Sequence, residues 1–236
     1  MKTTLSFLLI ILHISLNGQT HNIGGIFPTI DFKYKVSEKL EIESFSFLTL
    51  FPVEQTINEI VYPRHSGAFY TELDFTYLFK KNTSITGSYT YERANPFGAT
   101  YRNENRVWFQ MQQCFAFTKW NLKSRIRYDA RFIQNRITEK IDFSPRIRSL
   151  IGGDLKLNKN NLYFAAYNEF FFNTYSNRIS LFTENWAFAG LGFNVSSSTK
   201  LETGPLIISW IRNSKRNWLN QCFFQLTLIT DIHFKK

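Results

Sequence analysis

From about Asp31 to Phe234 the chain repeats an apolar/polar alternation with a period of two, broken by turns. In one such run Phe69, Thr71, Leu73, Phe75, Tyr77 and Phe79 share one side, and Tyr70, Glu72, Asp74, Thr76 and Leu78 share the other. Successive side chains of a strand point to opposite faces, so the pattern describes strands with unlike faces. Carried along the chain, it describes one closed sheet. Strands are expected at about 29–36, 40–50, 67–80, 83–93, 105–118, 122–134, 143–157, 162–173, 184–195, 199–212 and 218–234. Most reach the roughly 9–11 residues that cross a bilayer obliquely.

Two kinds of connection alternate. Ser37-Glu38-Lys39, Lys80-Lys81-Asn82, Lys119-Trp120-Asn121, Asn158 to Asn161 and Ser196-Ser197-Ser198 read as tight turns. The links 51–66, 94–104, 135–142, 174–183 and 213–217 are longer. Short turns on one rim and longer loops on the other are the habit of outer-membrane barrels, whose turns lie in the periplasm. Soluble barrels and sandwiches also alternate, but strand length, strand number and the order of connections favour the membrane form. The expected fold is therefore all-β, a transmembrane antiparallel up-and-down β-barrel of about 12 strands, within a range of 10–12. Eleven runs are visible, and bacterial single-chain barrels have even counts, so either the stretch Thr20 to Pro28 adds a short strand or one weak run is no strand and the barrel has ten; twelve is preferred.

The first residues fit that placement. Lys2, an apolar stretch from Leu5 to Leu12 and a polar end at Gly18 read as a secretory signal peptide over 1–18, with the barrel over 19–236. The apolar stretch is too short for a spanning helix, and no cysteine stands nearby to carry a lipid anchor. The expected location is the outer membrane of a Gram-negative bacterium, with outer-membrane lipids, lipopolysaccharide and the barrel-assembly machinery as partners and the protein a monomer. A net charge of +10 would suit nucleic acid, but export argues against that partner. The 25 Phe and 11 Tyr suit a sheet with a greasy face. Cys114 shares a face with Gln110 and Gln112, whereas Cys222 shares one with Phe224 and Leu226, so no disulfide between them is expected.

If apolar faces meet lipid, the polar faces line the interior. Lys123, Arg125, Arg127 and Arg131 then point inward from one strand, and Arg146 and Arg148 from the next, forming one basic wall. Acidic partners are expected in Glu72, Asp74, Glu92, Asp129, Asp154 and Glu169, with Asp31, Glu41, Glu43, Glu202 and Asp231 as further candidates. Either the rows pair and plug the barrel, or they set a field across a pore for anionic solutes or acidic oligosaccharides. Tyr62, Tyr101, Trp108, Trp120, Trp186, Trp210 and Trp218 are expected in interfacial girdles. The last strand, alternating from Phe224 to Phe234, looks like the segment read by the assembly machinery.

Chemistry is hard to find. After the leader the histidines are His21, His65 and His233, none beside a nucleophile in a pattern that serves acyl transfer. No metal-ligand spacing occurs, so no catalytic residue, metal or cofactor is expected. A lipid-modifying barrel enzyme is the remotest reading.

Several runs carry a resemblance: Asn105-Arg106, Arg125-Ile126-Arg127-Tyr128-Asp129-Ala130-Arg131, Pro145-Arg146-Ile147-Arg148, Ala166-Tyr167-Asn168-Glu169-Phe170-Phe171-Phe172-Asn173 and Gly190-Leu191-Gly192. In these the chain resembles the domain of unknown function 2490 family. The resemblance implies an outer-membrane barrel of unassigned role and brings no catalytic residues with it. The leading expectation is a charge-paired, structural or semi-plugged barrel; the alternatives are a porin-like narrow anion channel and, more remotely, the lipid enzyme.

Overall fold

A computed structural model of the protein describes residues 20–57, 60–136, 138–157, 161–174, 182–211 and 218–232. The expected leader, His233 and the terminal Phe234 lie outside the described residues. The strands are β1 (Thr20–Lys35), β2 (Leu40–Phe51), β3 (Gln55–Ile57), β4 (Ile60–Tyr62), β5 (His65–Lys80), β6 (Thr83–Ala94) and β7 (Arg102–Ala116). They continue as β8 (Trp120–Gln134), β9 (Ile141–Phe143), β10 (Arg146–Lys156), β11 (Leu162–Asn173), β12 (Phe182–Asn194), β13 (Thr199–Ile211) and β14 (Trp218–Ile232). Eleven long strands close a barrel, running β1, β2, β5 to β8, β10 to β14 and back to β1.

β9 is the end of the strand that β10 continues. Both pair with β8 in one register, from Gln134↔Ile141 through Phe132↔Phe143 to Asp129↔Arg146. Pro145 stands at the break, where it has no N–H to give to the ladder. β3 and β4 form a separate hairpin over the longer-loop rim. Its Gln55 carboxamide donates to the Gly24 carbonyl (2.7 Å) and accepts from the Gly24 N–H (2.6 Å). It thereby stands in for a strand where β1 extends past its first pairing with β2 at Ile26↔Leu50.

The strand count, eleven, falls inside the expected range of 10–12 but is odd, where an even count is preferred. Strands that alternate in direction and number eleven must begin and end in the same direction, so closure requires one parallel pair. β1 and β14 supply it, in register from Thr20↔Trp218 to Tyr34↔Ile232. The residues expected to make an extra strand instead lengthen β1. Both β1 and β14 run from the longer-loop rim to the tight-turn rim. Stepping between paired residues from Lys35 through Thr76, Arg127, Phe171 and Leu219 returns to β1 at His21, a stagger of about 14 residues. Such a stagger tilts the strands strongly and keeps inward residues inward all round, because it is even.

The outer surface is an apolar belt. Phe75, Phe109, Ile126, Ile151, Leu191 and Phe224 all point outward, with Phe109 63% and Ile126 59% exposed. Exposure on this scale, on strand after strand, far exceeds the scattered apolar patches of a soluble monomer.

The inner face corrects a second expectation, because it is not uniformly polar. Phe27, Phe47, Phe51, Tyr70, Phe188, Leu206, Ile208 and Phe223 point inward and form a buried cluster, with Phe45 and Trp186 packed against it. Phe47 stacks on Phe27 at 4.5 Å and on Tyr70 at 4.6 Å between ring centroids. Strands β1, β2 and β12 to β14 thus fill the bore with rings, while β6, β7, β8 and β10 face them with charge. Trp108 and Trp186 leave the expected girdle for the interior: Trp108 is 0% exposed, and the Trp186 ring meets Phe27 at 5.9 Å. Tyr62 also packs against the interior cluster, and Trp210, exposed near the end of β13, shares the inner face with Leu206 and Ile208; Trp120 stands exposed at a strand end on the outer face.

Candidate functional site in the barrel interior

The strand β8 places Arg125, Arg127, Asp129 and Arg131 on its inner face by the period of two, and β10 places Arg146 and Arg148 beside them. Two cross-strand pairs are then of like charge: Arg106 lies opposite Arg131, and Arg127 opposite Arg148. Direct opposition of like charges destabilises a sheet unless counter-charge intervenes.

Carboxylates supply that counter-charge. Glu104, on β7, accepts from the Arg131 fork at 2.6 and 2.9 Å and also from Arg106. Arg106 in turn reaches Glu92. Glu169, on β11, accepts two parallel bonds from Arg148, at 2.8 and 2.9 Å, and a third from Arg125 at 2.6 Å. Asp129 takes Arg146 at 2.7 Å and lies 3.7 Å from Arg148. Glu184, 3.5 Å away, is a second partner of Arg146. Glu72 reaches Arg127 at 3.4 Å across two intervening strands and is also bonded by Tyr70 and Thr90.

Rings complete the packing. The Arg127 guanidinium lies 3.4 Å over the Trp108 ring, and the Trp108 indole N–H donates to Thr90 at 2.9 Å. Arg146 and Arg148 lie over Phe171 at 4.8 and 4.6 Å. Guanidinium over an aromatic face is worth on the order of 0.5–2 kcal/mol, more when desolvated. Arginine suits this interior, since its planar fork binds carboxylates bidentately and stacks on rings.

Arg125, Arg127, Arg131, Arg146 and Arg148 thus share the inner faces of β8 and β10. The expected acidic partners divide. Glu72, Glu92, Asp129 and Glu169 are in ion pairs. Asp74 instead accepts from the Ser88 hydroxyl (2.5 Å), and Asp154 from the Asn121 amide (2.8 Å). Among the described residues, Lys123 has no carboxylate within ion-pair distance. Glu104, Arg106, Glu184 and the Lys33–Glu43 pair at 3.0 Å were not among the expected site residues as a network. The alternation of Arg102, Glu104 and Arg106 with Asn103, Asn105 and Val107 carries the signal for two of them.

Many pairs join neighbouring strands rather than opposite walls. Arg146 and Asp129 sit directly across one ladder, and both belong to the wall read as basic. A transverse field between two charged sides does not describe this interior. His65 lies on the longer-loop rim, its ring within 2.6 Å of the Pro63 carbonyl. Among the described residues, no group of three His, Cys, Asp or Glu side chains is placed to hold a metal ion. Both cysteines are free, Cys114 facing the interior and Cys222 the outer surface.

The family model described as a protein of unknown function (DUF2490) matches residues 51–220. The chain belongs to the DUF2490 family. The matched span runs from the end of β2 into β14 and so contains the ionic network of the DUF2490 interior, including Glu72, Glu104, Arg127, Arg148 and Glu169. The parallel strand β1 lies before the DUF2490 match. Among curated proteins no relative matches.

Proposed function

We propose that this DUF2490 protein is a monomeric outer-membrane barrel with a filled, non-conducting lumen and no catalytic activity of its own. The observation that carries the reading is the joint assignment of faces: the exposed surface is an apolar belt, while guanidinium, carboxylate and rings fill the bore. An apolar belt of this kind suits acyl chains. Ten to twelve strands leave little bore once long side chains occupy it, and arginines held by carboxylates are not free to greet a passing anion. Lys39, Lys80, Lys81 and Lys119, on the tight turns, suit the anionic headgroups at one rim.

Cell fractionation with an alkaline wash tests the location. The expected result is retention in outer-membrane fragments, with slower gel migration after boiling, as a detergent-resistant barrel shows. Recovery as a soluble periplasmic species would overturn the reading.

A further inference from the structure

Charges along the lumen differ in how they are satisfied: even at the tight-turn end Lys33 is paired with Glu43 and Asp31, but one group of charges there is not paired. Toward the middle and the longer-loop rim, Arg106, Arg127, Arg131, Arg146 and Arg148 each have a carboxylate within ion-pair distance. At the tight-turn end, Lys123, Asp154 and Glu202 border one cavity of about 380 Å³. Among the described residues, none of these three has an oppositely charged group within ion-pair distance. Asp154 accepts from the Asn121 amide at 2.8 Å, and Glu202 from the Tyr163 hydroxyl at 2.8 Å. Lys123 is exposed to the space, and Tyr167, whose hydroxyl donates to Gln225 at 3.3 Å, stands at the inner end beneath Glu169.

Unpaired ions in a wall are costly unless water or a ligand satisfies them. One ammonium and two carboxylates around a cavity of ligand size define a complementary solute. We propose that this recess binds a small basic zwitterion, an amino acid with a second ammonium group. Its carboxylate meets Lys123 and its two ammonium groups meet Asp154 and Glu202. The inference rests on the closed-barrel reading only in treating the recess as a dead end, and its test requires no membrane.

Calorimetric titration of L-lysine into full-length protein refolded in micelles is the direct measurement. The expected result is saturable binding, at least tenfold weaker for acetate or butylamine, each of which carries one sign of charge. Lys123→Met and Asp154→Asn should each weaken binding at least tenfold, and neither removes an ion pair seen in the fold. Cys114 also lines the cavity, so in a Cys222→Ser background L-lysine should slow its alkylation by a maleimide. Absence of saturable L-lysine binding, or equal binding by both variants, would overturn the proposal. A barrel that conducts yet binds L-lysine refutes closure alone; a silent barrel that binds nothing refutes the recess alone.

Discussion

Arg148 grips Glu169 through two parallel hydrogen bonds, Nε to Oε1 at 2.8 Å and Nη2 to Oε2 at 2.9 Å, both groups buried. Arg125 reaches the same carboxylate, so one acid bridges two guanidinium groups from two strands. Replacing both partners of a buried pair with apolar groups is often harmless, whereas removing one strands the other. Glu169→Gln is therefore expected to cost about 3–5 kcal/mol, read as a fall in the urea midpoint of unfolding from micelles. The loss should change little with salt, because buried pairs are poorly screened.

Trp108 and Trp120 occupy opposite environments on adjoining strands. Trp108 is buried under Arg127 and bonded to Thr90, while Trp120 is 43% exposed and stacks on Phe117 at 3.9 Å. Trp108→Leu should lower stability by about 2–4 kcal/mol, as loss of a buried ring does. In vesicles of brominated lipid, the fluorescence lost on Trp120→Leu should be quenchable and that lost on Trp108→Leu should not. Equal quenching would contradict the assignment of faces.

The parallel seam between β1 and β14 makes a geometric demand. Thr29 and Thr227 are paired and both buried. With Cys114 and Cys222 replaced by serine, cysteines at positions 29 and 227 should be joined by a short thiol cross-linker, giving a shifted gel band. Cysteines at 21 and 232, which an antiparallel seam would bring near one another, should not. The same seam sends the start of β1 and the end of β14 to opposite rims. Epitope tags placed before Thr20 and after Ile232 should accordingly differ in accessibility on intact cells.

Gly192 lies beneath Tyr163 on the neighbouring strand, where an added Cβ would fall 2.1 Å from the ring. A ring covering a glycine repairs the hole in a curved sheet. Gly192→Ala should cost about 1–3 kcal/mol by overpacking and free Glu202 from its tyrosine partner. In a Tyr163→Ala background the same change should cost little, a non-additivity that double-mutant unfolding curves measure.

The period of two made most of this molecule legible. It located the long strands to within a few residues, except at the start of β1, and it turned Arg125, Arg127, Arg146 and Arg148 inward and Ile126, Phe75 and Phe224 outward. It did not reveal the seam, because pairing of the first and last strands is a long-range event that no local pattern encodes. The inner aromatics were hidden for another reason. Where both faces of a strand are apolar, as around Phe45, Phe47, Leu48 and Leu50, alternation carries little contrast. Glu104 was legible in principle, since it alternates in phase with Arg106 and Trp108, but its role needs the neighbouring Arg131 to be seen.

Conductance of the purified protein in a planar lipid bilayer tests the central claim most directly. Closure by rings and paired ions predicts a silent membrane at low and high salt, with Arg127→Glu opening leak rather than reversing a selectivity. Steady anion-preferring steps from the unaltered protein would contradict it.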